Sequence, residues 1–145
     1  MGQRISGVTL KEISEDDLQF LYKLLKQRDP NANISHKVMP SYDEHVKFVT
    51  SKPYSKWYVM HYKKQKIGSI YLTKQNEIGI FILNGMRGKG AGEEALRLLI
   101  KLNPRDRYLA NVSPKNKKSI QFFKKNGFNI IQHTYELTKN EINRS

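Results

Sequence analysis

Hydrophobic and polar positions along the chain fall into a succession of short periodic runs. "VTLKEI" (residues 8–13) alternates with the two-residue period of a half-buried strand. Ser14, followed at the third residue by Asp17, resembles a capping box. Leu18, Leu21, Leu24 and Leu25 then recur at helical spacing, which predicts a first helix up to about Arg28. "DPNANISHKVMP" (residues 29–40) has turn residues and no sustained period, so it reads as a loop long enough to carry function. Ser41 and Glu44 form a cleaner capping box for a second helix carrying Tyr42, Val46 and Val49, stopped near Ser51 by Pro53. Three strand-like runs follow, "KWYVMHY", "IGSIYLT" and "EIGIFIL", separated by the short polar turns "KKQK" and "KQN", which suits an antiparallel meander.

Beyond these runs comes "GMRGKGAGEE" (residues 85–94), and then Ala95, Leu98, Leu99 and Leu102 at the spacing of one helical face. "RYLANV" (residues 107–112) reads as another strand. "NKKSIQFFKKNGF" reads as a short helix with Asn116 as N-cap and Gly127 as its stop, and "NIIQHTYEL" (residues 129–137) as a last strand. The expected order is β-α-α-β-β-β-α-β-α-β, with no repeat or linker, so residues 1–145 are expected to form one domain.

The glycine-rich stretch is the sharpest local signal. A phosphate-binding P-loop is excluded, because Gly88-Lys89 is preceded five residues earlier by Leu83 and followed by Gly90. The dinucleotide fingerprint fails as well, since its third glycine would fall on Glu93. What remains is Arg87-x-x-Gly90-x-Gly92 between a strand and a helix, where successive backbone N–H groups beside a helix N-terminus can cradle a pyrophosphate. A glycine-rich turn without a ligand is the alternative that this stretch alone leaves open.

In this context the sequence resembles the GNAT superfamily of acetyl-CoA-dependent N-acetyltransferases. The resemblance rests on Arg87, Gly90 and Gly92 behind "EIGIFIL", and on Asn116 to Ser119, Phe123 and Gly127-Phe128 further on, in the family's order. It implies an α+β fold with a mixed, mostly antiparallel sheet of about six to seven strands, flanked by about four helices, with strands four and five splayed. Residues Gly88, Lys89, Gly90, Ala91 and Gly92, with Arg87, are then expected to bind the CoA pyrophosphate. Backbone groups of Ile82 and Leu83 are expected to pair with the pantetheine arm, and Asn116 and Phe123 to line it near the thioester.

Composition adds three constraints. The chain has no cysteine, which removes disulfides, thiolate metal sites and a cysteine nucleophile; direct attack by an amine within a ternary complex needs none of these, and no metal is expected. The 26 Lys and Arg against 13 Asp and Glu leave a net charge of +13, which attracts anions, although no RNA-recognition or zinc-finger pattern accompanies it. No run of about 18 apolar residues occurs, so a cytoplasmic protein without membrane insertion is expected. A homodimer is compatible with the sequence.

For the chemistry, the resemblance implies a general base at Glu77, at the start of the fourth strand, where several family members place a carboxylate. His36 in the long loop is a second candidate, because imidazole titrates near neutrality. The chain departs from the family at Phe123, where many members have a tyrosine that protonates the leaving thiolate; phenylalanine cannot donate a proton, so Tyr135 is the substitute candidate. The expected acceptor is a primary amine on a small molecule such as a nucleotide-linked amino sugar. A protein N-terminus or lysine, a CoA-binding regulatory role and a basic RNA-binding module are the alternatives.

Overall fold

The computed structural model describes residues 4–28 and 38–144. The run at residues 8–13 forms β1 (Thr9–Glu12). Ser14 and Asp17 do form a capping box, but around a single 3-10 turn, and α1 (Leu18–Lys26) follows directly. α2 (Tyr42–Thr50) starts on the Ser41/Glu44 capping box and ends where the sequence puts its stop. β2 (Lys56–Tyr62), β3 (Gln65–Leu72) and β4 (Ile78–Ile82) form the meander, giving a four-stranded antiparallel sheet in the order β1-β2-β3-β4. α3 (Ala91–Leu102), α4 (Lys117–Lys125) and α5 (Lys139–Ile142) complete the described elements.

The period-two pattern divides the sheet cleanly. One face of β2, β3 and β4 carries Tyr58, Met60, Ile70, Leu72 and Ile78, which bury with Ala91, Ala95, Leu96 and Leu99 of α3. The other carries Val59, Trp57 and Phe81, packed with Leu21 and Leu24 of α1 and Val49 of α2. Each fully buried Leu or Ile here contributes about 1.5–3 kcal/mol of transfer free energy, so the two layers are what hold the sheet between helices. The stripe of α3 is rotated from the sequence expectation: Leu96 lies inside, whereas Leu102 is exposed at the helix end.

Two expected strands are not built as strands. Residues 107–112 touch β4 through one parallel bridge, Glu77 with Leu109, and residues 129–137 have no ladder. The sheet therefore has four strands among the described residues against the six to seven expected, and five α-helices against about four. Alternation alone cannot supply a strand's partner, whose hydrogen bonds come from another part of the chain.

Candidate functional site

The outer edge of β4 organises the site. Thr73 N–H donates to the Glu77 carbonyl and Leu83 N–H to the Ile67 carbonyl, so the odd-numbered residues of β4 spend their backbone groups on β3. By the alternation of an antiparallel ladder, Ile78, Ile80 and Ile82 present theirs to the opposite edge. There Ile78 N–H donates to the Leu109 carbonyl at 2.8 Å, and Leu109 N–H to Asn76 at 2.8 Å. A continuing parallel ladder would next join Asn111 N–H to the Ile78 carbonyl and Ile80 N–H to Asn111; neither bond forms. The two segments thus part immediately after one bridge, and the Ile80 amide and carbonyl and the Ile82 amide face the gap without a partner among the described residues.

Glu77 stands where the gap begins. The turn before it is organised by Thr73, whose hydroxyl accepts the N–H groups of Gln75 and Glu77 and donates to Glu77 Oε1 at 3.1 Å. Asn111 Nδ2 donates to the other carboxylate oxygen, Oε2. The parallel bridge brings Asn111 there, which the sequence does not signal. Thr73 was legible only as a strand end, although Thr-x-x-Asn-Glu is a turn pattern with a hydroxyl able to accept two amides.

At the other end of β4 lies the glycine-rich loop. Gly88 and Gly90 adopt φ of +76° and +87°, the left-handed region that L-residues with a Cβ occupy at a cost, and Gly90 is the N-cap of α3. The N–H groups of residues 90–93 have no acceptor among the described residues, so they stand as orphan donors at a helix N-terminus. That donor set fits a pyrophosphate. The N-terminal segment straps this loop: Ile5 N–H donates to the Lys89 carbonyl, and Glu94 accepts the N–H groups of Gly7 and Val8. Arg4 lies over Gly90, its guanidinium 3.0 Å from where a Cβ would be. Glu93 bridges Arg4, Lys125 and Arg97, and the hydrogen bonds from Lys125 and then Arg4 hold its carboxyl below the usual range. Arg4, at the far end of the sequence, carries no motif that could have flagged it.

The remaining expected residues divide as follows. Arg87 turns its side chain back, donating to the carbonyls of Ile82 (3.1 Å) and Gln27 (3.3 Å), so it braces the loop against α1. Leu83 has its N–H on the Ile67 carbonyl and its own carbonyl accepts from Met86 N–H, which leaves no free donor on Leu83 for a ligand strand. Asn116 caps α4 by accepting Ser119 N–H. Phe123 packs edge-on against Phe122 and Phe128, while the Phe122 ring comes within 3.2 Å of a Cβ built at Gly92, so that glycine lets α4 approach α3. Tyr135 is 90% exposed with His133 as its ring neighbour, and the structure does not bring it to Glu77 or the loop. His36 lies outside the described residues.

On the α1/α2 face beside Glu77 is a group of rings. Tyr54 stacks on Tyr71 at 3.9 Å with planes 4° apart, Trp57 Nε1 donates to Ser69, and the Arg28 guanidinium lies 5.2 Å from the Phe81 ring centre. Burial pushes the Tyr54 phenol well up and raises that of Tyr71, so both are neutral at physiological pH. His45, by contrast, is a core residue: burial holds its imidazole below the ordinary value, with Nε2 3.3 Å from the Leu18 carbonyl oxygen.

Comparison with known proteins bears on the family and the fold. The model of an acetyltransferase (GNAT) domain matches residues 8–129. No curated protein matches the chain in sequence. Among solved structures, a domain from Methanocaldococcus jannaschii is similar at TM-score 0.77 and 22% identity, over 91% of this chain and 94% of that one. An N-acetyltransferase from Staphylococcus aureus Mu50 is similar at 0.67 and 19%, over 85% and 84%. The spermidine/spermine N-acetyltransferase SpeG from Vibrio cholerae is similar at 0.64 and 19%, over 83% and 77%.

Proposed function

The chain belongs to the GNAT acetyltransferase family, and on that premise we propose that it transfers an acetyl group from acetyl-CoA to a primary amine by direct attack in a ternary complex. The observation that carries this reading is the open edge of β4, which runs from the Glu77 carboxylate to the orphan amides of the glycine-rich loop. The N–H groups of residues 88–92 would hold the pyrophosphate, with Arg4 and Lys89 as neighbouring cations. The amide and carbonyl of Ile80 and the amide of Ile82 would take an extended arm as an added strand. About six residue rises of roughly 3.3 Å separate Glu77 from Leu83, so a ligand lying along this edge must be extended.

When bound, acetyl-CoA supplies the activated acetyl group and a thiolate that leaves. The chain's own part is to orient and to move a proton. Glu77 accepts the amine's proton at a carboxylate oxygen, directly or through one water. Thr73 and Asn111 fix the direction of that carboxylate, which is the element of positioning that raises effective concentration. Tyr135 is too exposed to serve as a dedicated acid within one chain, and the low basicity of a thiolate makes such an acid dispensable.

The acceptor we favour is a small-molecule amine carrying phosphate, such as a nucleotide-linked amino sugar. The stacked Tyr54 and Tyr71 rings and the Arg28 cation beside Glu77 suit a planar base and a diphosphate. Spermidine, the substrate class in the name of one structural neighbour, would bring a polycation to a chain of net charge +13.

The test is thermal stability during titration with acetyl-CoA, for the parent and for Gly90→Glu. A ligand at a hundred times its Kd stabilises by about 2.7 kcal/mol. The parent should shift accordingly and the variant, with bulk and negative charge in the cradle, should not. Absence of a shift in the parent refutes the cofactor assignment, and a positive result licenses an amine screen led by amino-sugar nucleotides.

A further inference from the structure

Gly79 has no side chain, and Tyr71 takes the space. The two are direct partners across β3 and β4. A Cβ at Gly79 would meet the tip of that ring first, Cζ at 2.1 Å, the hydroxyl oxygen at 2.3 Å and Cε2 at 2.4 Å. The phenol therefore lies across β4 with its hydroxyl end over the Gly79 backbone. β4 is the edge strand of the four-stranded sheet, so a side chain that crosses it ends at the gap. A larger residue at position 79 would deny the crossing, which gives a glycine inside a strand its use.

The hydroxyl lies on the face that carries Glu77. Glu77 and Gly79 are two residues apart, hence on the same face, separated by two rises of roughly 3.4 Å. The Ile80 amide, next in the chain after Gly79, faces the gap without a partner among the described residues. Neighbouring rings hold the phenol there: Tyr54 stacks on it at 3.9 Å, and Phe81 and Trp57 lie 6.1 Å and 6.3 Å away. Burial raises its pKa and outweighs hydrogen bonding from Tyr54 and the Arg28 charge, so Tyr71 keeps its proton at physiological pH. A hydroxyl that accepts from one neighbour retains its own proton to donate. Neither Phe123, which has no such proton, nor the exposed Tyr135 supplies a donor to the gap.

We propose that the Tyr71 hydroxyl donates a hydrogen bond to the acetyl oxygen of acetyl-CoA bound along the β4 edge. This rests on the acetyltransferase reading and adds to it a residue that touches the reacting group. Tyr71 keeps its proton throughout. As the amine nitrogen bonds to the carbonyl carbon, the oxygen takes up the π pair and the hydrogen bond strengthens. When the C–S bond breaks, its electron pair leaves on the thiolate, the C=O bond re-forms, and the amine's proton stays on Glu77. A donor fixed in place by its stacked neighbour favours the charge that develops over the neutral thioester.

The experiment is carbon-13 NMR of acetyl-CoA labelled at the acetyl carbonyl and bound to the full chain, with thermal stability measured on the same samples. A hydrogen bond to a carbonyl oxygen moves the carbon resonance downfield, and this readout needs no acceptor amine. The parent should bind, with the resonance downfield of free acetyl-CoA. Tyr71→Phe, which keeps the ring and its stack, should bind within about tenfold of the parent and lose more than half of that displacement. Gly79→Ala, which keeps the hydroxyl but pushes the ring off β4, should lose it as well. A parent that does not bind acetyl-CoA overturns the acetyltransferase reading, and the inference with it. A parent that binds overturns the inference alone if its resonance is not displaced, or if the displacement survives in Tyr71→Phe. Survival in Gly79→Ala overturns it too, as does a cooperatively folded Tyr71→Phe that no longer binds, since one hydrogen bond cannot account for that loss.

Discussion

Two glycines on neighbouring strands should respond to the same substitution in opposite order of their apparent clash. A Cβ at Gly68 in β3 would lie 2.5 Å from the Phe81 carbonyl oxygen, 3.1 Å from Met60 Sδ and 3.3 Å from Ile82 Cα. A carbon normally approaches a carbonyl oxygen to about 3.3–3.6 Å, so β4 must move by about 1 Å, and the obstacle is backbone held by the ladder. A Cβ at Gly79 in β4 would lie closer still, 2.1 Å from Tyr71 Cζ, but that is the far end of a side chain that can rotate away. For Gly68→Ala, overpacking of about 1–3 kcal/mol, less about 0.5–1 for the glycine entropy no longer lost, leaves a mid-range net cost of about 1.3 kcal/mol. For Gly79→Ala, losing the Tyr54–Tyr71 stack costs about 0.5–1.5 kcal/mol, which the same entropy gain largely offsets. At about 3 °C per kcal/mol for a chain of this length, Gly68→Ala should melt about 4 °C below the parent and Gly79→Ala within about 2 °C. Urea unfolding followed by circular dichroism measures both, and acetyl-CoA titration of Gly68→Ala should show weakened binding because the displaced backbone is the Ile80–Ile82 edge. A Gly68→Ala protein as stable as the parent, or less perturbed than Gly79→Ala, refutes the reasoning.

Two further outcomes follow from the site and the core. Glu77→Gln should lower kcat by about 10²- to 10⁴-fold, leave acetyl-CoA binding unchanged, and recover part of its loss at alkaline pH, where the amine is already neutral; a change within threefold at neutral pH removes Glu77 as base. Asp17 is buried, which by itself raises its pKa, yet the Lys66 ammonium at 2.7 Å and the Ser14 amide outweigh burial and hold it below 3.8. Its charge therefore adds stability above about pH 4 that is lost as pH falls through the depressed value. Asp17→Asn should cost about 1–2 kcal/mol at pH 7, and its urea midpoint should converge on the parent's toward pH 2; an equal gap at both pH values contradicts the ion pair.

Much of this protein is decided within short windows of its sequence. Ser41 and Glu44 cap their helix by contacts three residues apart, Gly127 stops α4 by its own backbone freedom, and β2, β3 and β4 are neighbours in sequence as in space. Gly90 starts α3 for the same reason, since its left-handed φ is a local property. Tertiary structure decided everything that depends on a distant partner. Residues 107–112 and 129–137 alternate as well as β3 does, yet the first keeps one bridge and the second none, because strand character becomes a strand only when another edge accepts its hydrogen bonds. The candidate site divides along the same line: Glu77 and the glycine-rich loop are candidates that the sequence offers, whereas Arg4 over Gly90, Asn111 on Glu77 and the return of Arg87 onto β4 are meetings across the fold. A sequence specifies the periodicity of each segment, and the packing of two helical layers on one sheet selects which segments meet.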